Sequence, residues 1–192
     1  MLRKLTPYLL VAPLMIFITV FTYIPVITSV NLSFRHWDFL SPTMPFVGFE
    51  NYRLLLNSRD FWNSLQVTAI FALFSVPIRL ALALAVASYL VRETLPSRLL
   101  RGALFLPSVT STVSIAVVFS WVFATDYGMV NAALTSLGLG KVQWLQDPQL
   151  ALWVLIVVNT WKQLGYDIVI YIAGLQAVPQ ELYDAAAVDG GR

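Results

Sequence analysis

Residues 150–192 read LALWVLIVVNTWKQLGYDIVIYIAGLQAVPQELYDAAAVDGGR. Residues 150–178 are predominantly apolar, and a helix of that length, rising ~1.5 Å per residue, crosses the ~30 Å hydrocarbon layer of a bilayer. Asn159, Lys162, Gln163 and Asp167 interrupt the apolar run, and the chain turns polar at Pro179. Pro179 fits the first turn of a new helix, where its missing N–H leaves no bond unmade. Glu181 and Asp184 follow where the positive end of the helix dipole favours acids. Ala185, Ala186 and Ala187 are strong helix formers with almost no side chain, and Gly190 and Gly191 stop the helix while letting another backbone come close. A membrane span followed by a short, small-surfaced helix is therefore expected, and the short helix suits the docking of a partner, not catalysis.

Composition agrees with a membrane protein. Of 192 residues, 58% are hydrophobic and 11% charged, which is more apolar surface than the interior of a soluble domain of this size can hold. The net charge of +2 is too small to point to nucleic acid. Without cysteine there is no disulfide, thiolate nucleophile or cysteine metal site, and the single histidine, His36, cannot form a paired-histidine site. The GxxxxGK[ST] phosphate loop, HExxH and GxSxG do not occur, so this chain is not an ATPase and shows no enzyme signature.

Working outward from residue 150, three further apolar segments are predicted to span the membrane: 5–30, 61–91 and 99–124. The fold class is thus an all-α, polytopic bundle with four spans and a short terminal helix, in one domain covering 1–192. A cleavable signal peptide is the competing reading of the first segment, but its apolar run exceeds the usual ~7–15 residue core. Pro7, Pro13 and Pro25 are expected to kink it. Connectors at 31–60 and 125–149 are rich in turn residues and aromatics, including Phe39 and Pro42, and Asn51 is expected to cap a short helix over 52–56. Ser108, Thr110, Ser111, Thr112 and Ser114 give the third span small hydroxyls that suit helix packing or contact with a solute. Arg3, Lys4, Arg92, Arg98, Arg101 and Arg192 are dense on one side, whereas Arg35, Arg53, Arg59 and Lys141 are spread over the longer connectors. This density predicts an inside N-terminus.

Charges within spans are the candidate functional residues. An arginine at bilayer depth costs roughly 2.5–3.5 kcal/mol, so Arg79 is expected to face the bundle interior. Lys162 and Asp167 are about 140° apart around a helix and do not naturally pair. Arg79 and Asp167 lie at similar depth in spans of the same direction, which predicts an ion pair between them. Lys162, Trp161, Asn159 and Gln163 remain as candidates for a polar path, because indoles stack on sugar rings and amides bond hydroxyls. Interhelical hydrogen bonding is the other role open to each of them.

Residues 184–191 resemble the "EAA" coupling loop of ABC-importer permeases, which reads Glu-Ala-Ala, two variable residues, then Asp-Gly-Ala. Asp184, Ala185, Ala186, Asp189 and Gly190 occupy motif positions, with Asp184 where Glu is usual and Gly191 where Ala is usual. FVGFENY at 46–52, LFLP at 104–107, GMVN at 128–131 and WLQDP at 144–148 resemble further phrases of the sugar and glycerol-phosphate type. The resemblance implies an inner-membrane permease of a bacterial or archaeal cell. Its expected partners are ABC ATPase subunits, a second permease subunit, an extracytoplasmic solute-binding protein and membrane lipid. No cofactor would be bound by this chain, with ATP and Mg held by the ATPase. The family loop inserts into the ATPase, which implies contacts from Glu181, Asp184 and Asp189 and a close turn at Gly190. Family members continue into further spans, so the chain is expected to be truncated within the loop. A four-span channel or structural membrane protein whose terminal helix binds a cytoplasmic partner is the alternative, and an integral membrane enzyme is a third.

Overall fold

The structure, a computed structural model, describes residues 2–38 and 43–190. Phe39 and Pro42 of the first connector, and Gly191 and Arg192 of the expected helix stop, lie outside the described residues. The chain gathers into two compact units, Met1–Leu65 and Gln66–Arg192. Apart from one isolated antiparallel bridge between Arg35 and Phe46, the regular structure among the described residues is helical.

In the first unit, α1 (Leu2–Ile18) passes through a π-helical turn (Thr19–Tyr23) into α2 (Ile24–Ser33). The wide turn has a local cause. Pro25 has no N–H to offer the carbonyl four residues back, and the ladder shifts so that Ile24 N–H reaches Thr19. Residues 34–49 then close on themselves: His36 N–H donates to Pro45 O at 3.0 Å and Val47 N–H to Phe34 O at 2.8 Å, beside the stacked rings of Phe34 and Phe46. Asn51 lies inside α3 (Glu50–Asn57) and does not cap it. Its amide donates instead to the carbonyls of Ser33 and Arg35, both at 2.9 Å, which ties the helix to the end of α2. The expected cap does not form because the helix starts at Glu50, one residue before Asn51, and the Asn51 amide turns to the carbonyls of Ser33, at the end of α2, and of Arg35 just beyond it.

In the second unit, α4 (Arg59–Leu90) begins in the first and runs uninterrupted through Pro77. The third apolar segment is not one helix but two, α5 (Leu95–Val109) and α6 (Thr112–Val122), bent by 96° at the break. Pro107 withdraws its N–H from the ladder, and Thr110 folds its hydroxyl back onto Leu106 O at 2.9 Å, so α5 ends there. After α7 (Met129–Ser136), α8 (Pro148–Gln176) starts at an Asp147 cap whose carboxylate accepts from the N–H groups of Gln149 and Leu150. The short α9 (Gln180–Val188) follows.

Four spans are predicted from sequence, whereas among the described residues two helices are long and apolar enough to cross a membrane, Pro7–Ser33 and Arg59–Leu90. A third is added if the bent α5–α6 pair counts as one. At 29 residues α8 has the length, but its midsection polar residues dilute its apolarity. It is instead the most enclosed helix, burying Ile156, Thr160, Gly165, Asp167, Ile168 and Ile172 among others. Ala83, Ala87 and Leu90 of α4 pack with Ile168 and Ile172 of α8, and Leu104 of α5 lies against them. Arg101 of α5 donates to the carbonyls of Leu90 and Arg92, so the negative end of the α4 dipole is capped by a cation from the next helix.

Gly165 sets the approach of α8 to α5. A Cβ there would overlap the Leu104 carbonyl and come within 2.7 Å of Phe105 Cα, atoms of backbone that cannot swing aside. Gly165→Ala is therefore expected to lower stability by about 1–3 kcal/mol, the usual cost of overpacking. Gly174→Ala, which meets nothing within 4 Å, should stay within about 0.5 kcal/mol of the parent. Unfolding midpoints of the two variants in detergent decide this, and equal midpoints would mean that α5 and α8 are not held at that distance.

Candidate functional site

Beside the hydrophobic cluster, three polar contacts and one cavity mark the candidate site in the second unit. The first contact is an ion pair between Arg79 of α4 and Asp167 of α8, with Nε 2.6 Å from Oδ2. Both side chains are largely enclosed, 20% and 11% exposed. The two atoms meet without the alignment of a hydrogen bond, and neither has another partner, so the link is one of charge against charge. Arg79 and Asp167 are the two residues whose depth matched in the sequence. The second contact is Asn159 of α8, whose Nδ2 donates at 2.9 Å to the hydroxyl of Ser75 in α4. Ser75 is 1% exposed, and the sequence reading did not single it out. Its signal is a hydroxyl in mid-span one turn before Arg79, on the same face of α4.

The third contact lies in the second connector. Asn131 is 2% exposed. Its Nδ2 donates to the carbonyls of Thr125 and Val142, while its Oδ1 accepts from Val142 N–H and from the Trp144 indole. The GMVN and WLQDP phrases are thereby joined by one amide that uses both its donors and both lone pairs of its oxygen. Sequence marked the phrases but not the bond between them.

Between α4, α6 and α8 lies a cavity of about 290 Å³, walled mainly by apolar side chains that include Phe71 and Phe119. Asn159 and Lys162, one turn apart on α8, are its polar wall on that helix, and Thr112 and Ser120 supply hydroxyls from α6. Among the described residues Lys162 makes no ion pair or hydrogen bond. Trp161 does not line this cavity; its ring meets Phe119 edge-on at 5.3 Å and lies in a separate groove with Trp153 and Thr160. Gln163 is half-buried, lines neither space and has no hydrogen bond among the described residues. Of the four candidates for a polar path, the fold thus brings Asn159 and Lys162 to one cavity and sends Trp161 and Gln163 elsewhere.

On α9 and just after it, Glu181, Asp184, Ala185, Ala186, Asp189 and Gly190 are all exposed. Pro179 stands one position before the helix rather than in its first turn, and Gln180 Nε2 donates to Asp184 at 3.2 Å. Asp189 caps the C-terminal end, and Gly190 adopts φ +85°, a left-handed conformation that other residues enter at a cost. Leu182, Tyr183 and Val188 are also exposed. The short helix thus exposes acidic and apolar side chains together.

Comparison with known proteins adds four findings. A family described as binding-protein-dependent transport system inner membrane component matches residues 78–191. The trehalose/maltose transport system permease protein MalF of Thermococcus litoralis is 34% identical over 184 residues, covering 95% of this chain and 62% of its own length. A crystal structure of a bacterial ABC transporter involved in the import of the acidic polysaccharide alginate superposes with a TM-score of 0.81 at 27% identity, over 99% of this chain and 64% of that one. The alginate transporter in complex with an alginate pentasaccharide-bound periplasmic protein superposes equally well, at 0.81, 26% identity, and 99% and 63% coverage. The chain spans about three-fifths of the length of the curated relatives it matches.

The ion pair yields a double-mutant test. Removing one partner of a buried pair leaves a lone charge and typically costs about 3–5 kcal/mol, whereas replacing both by apolar residues is often near neutral. Arg79→Leu and Asp167→Leu should each lower the amount of folded protein in the membrane severely, and the double variant should recover most of it. A double variant no better than the singles would show that the two charges do not depend on each other.

Proposed function

This chain belongs to the family of binding-protein-dependent transport system inner membrane components, and on that premise we propose that it is a permease subunit of an ATP-driven importer of a carbohydrate-like solute. The observation that carries the reading is the family match itself, which runs through α8 and α9 as far as residue 191. The named cargoes of the relatives, trehalose/maltose and alginate, are the reason for a carbohydrate.

In this reading the chain forms four spans, with α5 and α6 together as one broken span and α8 shielded by its neighbours. The N-terminus lies inside, and so does α9. A solute-binding protein delivers cargo from outside, as the alginate complex suggests; a second permease subunit completes the path. ATPase subunits, which hold the ATP and Mg, grip α9 through Glu181, Asp184, Asp189 and the small faces of Ala185 and Ala186. Gly190 makes the tight turn beside them.

In this reading the force travels along α8. Three residues separate α9 from α8, and α8 is held to α4 by the Arg79–Asp167 pair and to α5 at Gly165. Lys162 and Asn159 lie about 20–25 Å along the helix from its α9 end, at ~1.5 Å per residue. A push on α9 would thus move α8 as a rod and reshape the cavity that Asn159 and Lys162 line. In an apolar cavity those two groups fix a solute's orientation, as a few polar groups do in most ligand sites.

The full-length protein, purified from its native membrane in mild detergent, should carry with it a subunit containing a GxxxxGK[ST] loop. Asp189→Arg or Gly190→Asp should release that subunit by more than tenfold while leaving the folded permease in the membrane. Purification without any nucleotide-binding partner would favour a channel or structural role instead.

A further inference from the structure

Lys162 is the one midspan charge of the second unit that the fold leaves unmatched among the described residues. Asp167, the acid on the same helix, is engaged by Arg79 at 2.6 Å. α6 carries no charged residue, and no acidic side chain lines the cavity that Lys162 borders. The remaining walls are mostly apolar, with hydroxyls from Thr112 and Ser120. A cation in a recess with low-dielectric walls focuses its field into that recess and attracts an anion far more strongly than it would in water. Asn159, one turn away, has its Nδ2 engaged by Ser75, which leaves Oδ1 to accept from a ligand hydroxyl. Phe119 offers an aromatic ring on the facing helix. We propose that the cavity selects a solute bearing a negative charge, an acidic saccharide whose carboxylate meets Lys162 and whose hydroxyl meets Asn159. This rests on the carbohydrate-importer reading above, whose named relatives carry both neutral and acidic cargo and so do not settle the charge.

The test uses the full-length permease assembled with its partner subunits in lipid nanodiscs. Binding of trigalacturonate and of its fully methyl-esterified form is measured by calorimetry at one ionic strength. The acid should bind at least tenfold more tightly than the ester; Lys162→Gln should erase the preference, and Lys162→Arg should keep it. Equal affinities in the parent protein, or a preference that survives Lys162→Gln, would overturn the charge selection while leaving a carbohydrate permease intact. Binding of neither saccharide would overturn the carbohydrate reading and this inference with it. Failure of both Lys162→Gln and Lys162→Met to assemble would assign the ammonium to an acid on a partner helix, which also sinks the proposal.

Discussion

A carboxylate facing lipid has neither water nor a counter-ion, and Asp167 is where this constraint acts hardest on the chain. Its pairing with Arg79 neutralises two buried charges at once. The pair dictates more than its own contact. It requires α8 to lie along α4, which brings Asn159 within reach of Ser75 and packs Ile168 and Ile172 onto Ala83 and Ala87. The alanines matter because small side chains let two helices approach closely enough for buried polar groups to meet. On the other side of α8, Gly165 gives α5 the same closeness. A helix too polar to face lipid is thus the one with two neighbours pressed against it.

Breaks in the helices follow from the backbone rather than from packing. Proline leaves a carbonyl without its N–H, and in an apolar environment that carbonyl must find another donor or the ladder must rearrange. The three outcomes differ by context. At Pro25 the ladder widens into a π turn; at Pro77 the helix continues; after Pro107 it ends, with Thr110 bonding back by both hydroxyl and N–H. The last break turns α6 by 96° away from α5. It is also what places Thr112 and Phe119 along the cavity beside α8, so a local defect of one span shapes the candidate site.

In each connector one asparagine bonds two backbone carbonyls. Asn51 bonds the carbonyls of Ser33, at the end of α2, and of Arg35 beyond it, and Asn131 bonds those of Thr125 before α7 and Val142 after it. An amide can donate twice and accept twice in a compact group, which suits a loop whose backbone has no ladder of its own. In the second connector Trp144 adds an indole bond to the same oxygen, and three residues later Asp147 starts α8. The direction in which α8 sets out is therefore tied to the loop through adjacent residues.

Periodicity, length and charge in the sequence alone identify a membrane protein of helices, their approximate positions, the candidate residues on α8 and the polar terminal helix. These properties are local: hydropathy over some twenty residues, a proline, an acid near a helix start. The match in depth of Arg79 and Asp167 was also legible, since rise per residue converts position into depth once the direction of each span is set. What remained for tertiary structure is everything that depends on which faces meet. The split of 99–124 into two helices, the engagement of Asn51 with α2, and the separation of Trp161 and Gln163 from the cavity each turn on partners distant in the chain. Asn159 and Lys162 share a wall because α6 bends across their face of α8, and no local pattern encodes that crossing. Sequence determined which groups cannot be left in hydrocarbon, and the fold decided which of them satisfy one another and which, like Lys162, are left facing an open space.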